Sequence, residues 1–133
     1  MTDSTAELDP EKQQLAAQVL DLARHGDSDT IAGHVDGGVS ANLANDSGDA
    51  LVMLAASHGH LATVQALLER GANPDQANNR GQTPLSGALF KRHDDIVRTL
   101  PAHGADPDAG SPSAVETART LGRADLLEIF QGK

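Results

Sequence analysis

The apolar positions between residues 50 and 70 fall into two helical sets. Val52, Ala55 and Ala56 recur at helical spacing and predict a short helix faced with small side chains, while Leu61, Val64, Leu67 and Leu68 predict a second with a continuous apolar stripe. Two such faces pack antiparallel, with Gly59 placed for a left-handed turn between them and Gly71 for the same turn after the second. The pattern then returns at a spacing of 33: Gly48 as Gly81, Ala55 as Ala88, and Gly71-Ala72-Asn73-Pro74 as Gly104-Ala105-Asp106-Pro107. Stepping backwards, Gly71 lands on Gly38 and Gly59 on Gly26, and Asn45 aligns with Asn78, so four units emerge. A fixed period of this length predicts thin helical layers stacked in a row.

Local signals agree. Pro84 opens a first helical turn, where no backbone N–H is needed, and Thr83 before it is a cap. Asp94-Asp95 and Asp27 to Asp29 fall at the starts of second helices, where negative charge complements the macrodipole.

Within a unit the pattern resembles the ankyrin repeat. The second unit matches from Gly48 through Leu54-Ala55-Ala56-Ser57-His58-Gly59-His60-Leu61 and Val64 to Leu67-Leu68-Glu69-Arg70-Gly71-Ala72-Asn73. The third matches at Gly81-Gln82-Thr83-Pro84-Leu85, Ile96-Val97 and His103-Gly104-Ala105-Asp106. The resemblance implies an all-α solenoid of about four helix–turn–helix repeats with short β-turn or hairpin fingers. It predicts a flexible N-terminus over 1–8 and one domain over 9–133: a cap repeat 9–44, repeats 45–77 and 78–108, and a cap repeat 109–133. The outer units are degenerate, as terminal repeats facing water must be. Residues 9–38 keep His25-Gly26, Ile31 and Gly38 behind a longer helix, Glu11 to Arg24. Residues 111–131 keep Val115, Ala118, Gly122, Leu127 and Phe130 after a connection about three residues shorter than those before it.

Two departures predict modest stability. Pro101 replaces the second leucine of the Leu67-Leu68 pair, so the second helix of the third unit is expected to kink or end early. Ser86 stands where the family carries histidine, and the second unit reads Ala50-Leu51-Val52-Met53, so both lose the hydroxyl–imidazole bridge that the resemblance implies.

Composition narrows the function. With 38% hydrophobic residues and two aromatics, Phe90 and Phe130, the core must be built from alanine and leucine. Phe130 sits at the register of Leu67 and is expected in that core. No cysteine is present, which removes disulfides and thiolate metal sites. The start is acidic, without the basic and apolar runs of a secretory signal, and no window is apolar enough to span a membrane, predicting a cytoplasmic protein. Arginine over lysine and aspartate over glutamate, with abundant alanine, fit a GC-rich coding sequence of bacterial type. The net charge of −9 is uneven: residues 1–66 carry ten acids against two bases, residues 67–133 nine against eight. The acidic half repels phosphate backbones, so nucleic acid is not an expected partner.

No nucleophile elbow, phosphate loop, metalloprotease helix or calcium loop occurs, so no catalytic, metal or cofactor site is predicted. His58 and His60 are two apart and expected on different sides of a helix, unlike a metal-sharing pair. His103 precedes a helix-ending glycine, where it favours the last carbonyls.

The chain is instead expected to bind a protein without catalysis, as a monomer, regulating or protecting a partner enzyme. The resemblance places the contact on the concave face and finger tips: Arg24, His25, Asp46, Ser47, Asp49, Ser57, His58, Asn79, Arg80, Gln82, Phe90, Lys91, Thr120 and Leu121. Phe90 is the expected anchor, against the alternative that it folds into the core. Arg80, Lys91 and Arg92 beside it suit an acidic patch on the partner. A self-associating structural repeat and a metal-dependent hydrolase are the competing readings.

Overall fold

The computed structural model describes residues 10–131, so the N-terminal segment 1–8 lies outside the described residues. Eight helices follow in order: α1 Pro10–His25, α2 Ser28–Asp36, α3 Leu51–Ser57, α4 Leu61–Glu69, α5 Pro84–Phe90, α6 Asp94–Ala102, α7 Ala114–Thr120 and α8 Ala124–Phe130. They pair as α1–α2, α3–α4, α5–α6 and α7–α8. The odd-numbered helices stand side by side in one layer, and α2, α4 and α6 stand behind them in a second.

Small side chains make this geometry possible. Ala23, Ala55, Ala56, Ala88, Ala114 and Ala118 are buried on the inner helices, where they let neighbouring backbones approach closely. Between the layers Ile31, Val64, Leu67, Ile96, Val97, Leu100 and Leu126 are fully buried. Phe130 is buried at the end of the row, as its register predicts. The connections from α2 to α3 and from α4 to α5 each take 14 residues and that from α6 to α7 takes 11, the predicted shortening. No strand forms among the described residues; the fingers are turns, with isolated bridges pairing Ala44 with Ala50 and Gly110 with Ser113.

Consecutive units are tied at matching points. Asn42 Oδ1 accepts from Asn73 N at 2.7 Å, and Asp75 Oδ1 from Asp106 N at 2.7 Å. The first two fingers are each closed by an asparagine: Asn45 Oδ1 accepts from Ser47 N and Asp49 N, Asn78 Oδ1 from Arg80 N and Gln82 N.

One expectation is corrected. Helix α6 does not end early at Pro101; it runs to Ala102 and spans nine residues, as α4 does. Pro101 falls in the last turn, so the only bond lost is the one its own nitrogen would have made to Val97, and its ring is partly exposed. The ending is the same as that of α4: Leu100 O accepts from His103 N and Ala105 N, as Leu67 O does from Arg70 N and Ala72 N. Thr83 caps the third unit as predicted, with a serine hydroxyl where the resemblance implies an imidazole. Ser86 Oγ accepts from Thr83 N at 3.0 Å while Thr83 Oγ1 accepts from Ser86 N at 3.2 Å, a reciprocal box built from two hydroxyls. Helix α3, starting from Ala50, has no side-chain cap.

Candidate functional site

The inner helices end in two parallel rows. Arg24, Ser57, Phe90 and Thr120 occupy equivalent last-turn positions, and His25, His58, Lys91 and Leu121 the next. Between this rim and the fingers runs an open groove of about 520 Å³. Eight of the expected contact residues line it: Arg24, Asp49, Ser57, His58, Arg80, Gln82, Phe90 and Lys91. A second groove continues from it through Arg24 and Asn45 to Asp46 and along α1 past Leu20, Ala17 and Gln13. Ser47 and Asn79 stand at the finger tips, joined by a bond from Asn79 N to Ser47 O at 2.9 Å, and line neither groove. His25, Arg92, Thr120 and Leu121 also lie outside both.

Phe90 is 66% exposed, so it is not core. It ends α5, one residue past the fully buried Leu89, where the helix turns its next position away from the neighbouring layer. The groove also contains Asn45, Met53, Leu54 and Gly87, which reasoning from the family pattern missed. Gly87 had a signal: it stands 33 residues after Leu54, a glycine mid-helix where the preceding unit has leucine.

The charges around the groove are unequal. Arg24 is paired with Asp21 at 2.6 Å, Arg70 with Asp36 at 3.0 Å, and Arg123 with Asp94 at 2.8 Å and Asp125 at 3.0 Å. Arg80, Lys91 and Arg92 are exposed, and their side chains have no hydrogen-bonding or ionic partner among the described residues. Asp49, by contrast, accepts from Asn78 Nδ2 at 2.8 Å.

The histidines are structural, in a way different from that expected. His58 and His60 do not splay to opposite sides of a helix; their rings stack at 6.5 Å with planes 7° apart. Gly59 between them is left-handed at φ +81°, so both residues lie in the turn, outside α3 and α4. His60 Nε2 donates to Arg24 O at 2.8 Å, and His93 Nε2 to Ser57 O at 3.1 Å, each reaching the preceding unit. His93 follows His60 by 33 residues, so its role was present in the period. His58 Nδ1 donates to Leu54 O at 2.8 Å and His103 Nδ1 to Thr99 O at 3.1 Å, satisfying carbonyls of the last turns.

Each of these cross-unit imidazoles packs on a glycine, the pairs being Gly26 with His60 and Gly59 with His93. In the next unit the glycine position is Arg92, at φ +64° the only non-glycine residue with positive φ among the described residues. The position that would hold its histidine is Arg123, whose guanidinium turns to Asp94 and Asp125. An arginine in the left-handed region costs about 1–2 kcal/mol. Arg92→Gly is therefore expected to raise the thermal midpoint by a few degrees, about 1 kcal/mol, in a melting curve.

Hydrogen bonding from Arg123 holds the carboxyls of Asp94 and Asp125 below their ordinary 3.8. A depressed folded value adds stability above the unfolded value, and that stability is lost as pH falls through the folded one. Arg123→Met should therefore lower the thermal midpoint at pH 5–7 by an amount that shrinks as pH falls below about 4, as melts across that range would show.

Stacked helical pairs with finger turns and cross-unit imidazole bonds define a repeat solenoid, and a family model described as ankyrin repeats (3 copies) matches residues 19–111. The chain belongs to the ankyrin-repeat family. A Pseudomonas aeruginosa protein named as an ankyrin repeat protein is 47% identical over 56 residues, covering 41% of this chain and 33% of that relative. The chain thus matches about a third of the length of that curated relative. Repeats of this family are in general protein–protein interaction modules. No helix among the described residues is long and apolar enough to cross a membrane.

Proposed function

We propose that this chain is a non-catalytic binding module, a cytoplasmic monomer that holds a protein partner across its concave face and finger tips and so regulates or protects a partner enzyme. The observation that carries this reading is the exposed Phe90 on the groove rim beside Arg80 and Lys91, cations without a side-chain partner among the described residues. A large aromatic that the fold does not bury supplies contact area at low entropic cost, and neighbouring cations steer an acidic patch toward it.

The test uses Phe90→Ala and Lys91→Glu singly, in calorimetry with the purified partner. Each is expected to weaken binding by about 1–2 kcal/mol or more. Losses below about 1 kcal/mol for both would move the hot spot elsewhere. Self-association, in contrast, would show as a mass that rises with concentration.

A further inference from the structure

Resting on the binding reading above, we infer that the groove receives a short acidic segment of the partner, carrying one large apolar side chain that lies against Met53 and Phe90 while flanking carboxylates meet Arg80, Lys91 and Arg92. The floor is apolar and adaptable. Met53 Sδ and Cε lie 3.1 and 3.0 Å from the point a Cβ on Gly87 would occupy, so the thioether fills space that any other residue at 87 would take. A mid-helix glycine weakens a helix relative to alanine. What its absence of a side chain provides here is room for Met53, itself 5% exposed, beneath the groove beside Leu54 and the exposed Phe90. Methionine adjusts to differing apolar shapes, which suits an inserted side chain.

The rim specifies charge. In a chain of net charge −9, four arginines (Arg24, Arg70, Arg98 and Arg123) each have a carboxylate within 4.0 Å, yet among the described residues Arg80, Lys91 and Arg92, like Arg119 on α7, have none. Arg92 holds its place in a left-handed conformation where three equivalent turns use Gly26, Gly59 and Gly122. A side chain kept there against backbone preference points to a use for its charge. A long polyanion does not fit. Asp49 lines the same groove, and Asp46 the one continuing from it, so evenly spaced phosphates would meet carboxylates on leaving the third unit. A short segment places its negative charge only where the cations are.

Fluorescence anisotropy on the full chain tests this. The probes are a labelled peptide with central leucines flanked by Asp and Glu, the same peptide with Asn and Gln, and a single-stranded oligonucleotide. The acidic peptide is expected to bind about tenfold tighter than the amide version, and less well as salt rises. Lys91→Glu and Phe90→Ala should each weaken it about tenfold. Arg98→Glu, the same charge change on α6 outside the groove, should leave it within about twofold. Arg92→Gly should bind the peptide less well while melting at a higher temperature, a combination that a purely structural role does not produce. Equal binding of acidic and amide peptides, no binding of either, preference for the oligonucleotide, or Arg98→Glu as harmful as Lys91→Glu would overturn the inference. If the peptide fails while the natural partner still requires Phe90, the acidic-segment inference falls and the binding-module reading stands.

Discussion

Gly59→Ala is expected to destabilise the fold by about 3 kcal/mol, far more than a surface glycine-to-alanine change. Two terms add. The backbone at Gly59 is left-handed, φ +81°, which costs an L-residue about 1–2 kcal/mol. A Cβ there would also lie 2.8, 3.0 and 3.2 Å from ring atoms of His93. That ring cannot swing away freely, because its Nε2 donates to Ser57 O at 3.1 Å and its residue stands directly before α6. Gly71→Ala is the internal comparison: φ is +89°, but no atom lies within 4 Å of the new Cβ, so only the backbone cost of about 1–2 kcal/mol applies. Adding His93→Ala to Gly59→Ala should recover part of the loss, making the pair strongly non-additive. Urea unfolding of these three variants and of His93→Ala alone measures all of this. A Gly59→Ala loss no greater than that of Gly71→Ala would show that the imidazole contact between units carries no weight.

Leu89→Ala is expected to cost about 2–5 kcal/mol, the range for removing a fully buried leucine without collapse of the cavity. Leu89 has no exposure and lies at the heart of the inner layer. Against a total stability of about 5–15 kcal/mol, the loss leaves a measurable unfolded fraction near the growth temperature. Its chain neighbour should behave in the opposite way. Phe90→Ala is expected to change stability by under about 0.5 kcal/mol, because the side chain is largely solvated, and to act on binding instead. Melting curves of the two variants separate the core from the contact surface; equal losses would place Phe90 in the core after all.

The layered architecture was legible because it is periodic. The 33-residue step placed the turn glycines, the alanine-faced inner helices and the shortened last connection before any coordinates. Pro101 misled because a helix-interior penalty was applied to a last turn, where only one donor is missing. His58 and His60 misled for a related reason: helical spacing was assumed across a glycine that breaks the helix. His93 was visible as the periodic copy of His60, but its reach to Ser57 belongs to the packing of adjacent units.

At the groove, the rim residues followed from the family pattern, whereas the floor did not. Whether Phe90 faced solvent was decided by the position where α5 ends, and the absence of partners for Arg80, Lys91 and Arg92 among the described residues depends on where their carboxylates lie in space. Gly87 and Arg92 are both departures from the pattern, a glycine where leucine stood and an arginine where glycine stood. Each lies within three residues of Phe90 along the chain, which is why departures carried more about function than conformity did.

The most direct test of the binding surface is site-specific photocrosslinking in the source cell, with the probe replacing Phe90 in one strain and Thr99, a half-buried residue of α6 outside the groove, in another. A partner protein captured from position 90 and absent from position 99 is the predicted result. Capture of the same partner at position 99 with none at position 90 would contradict the account.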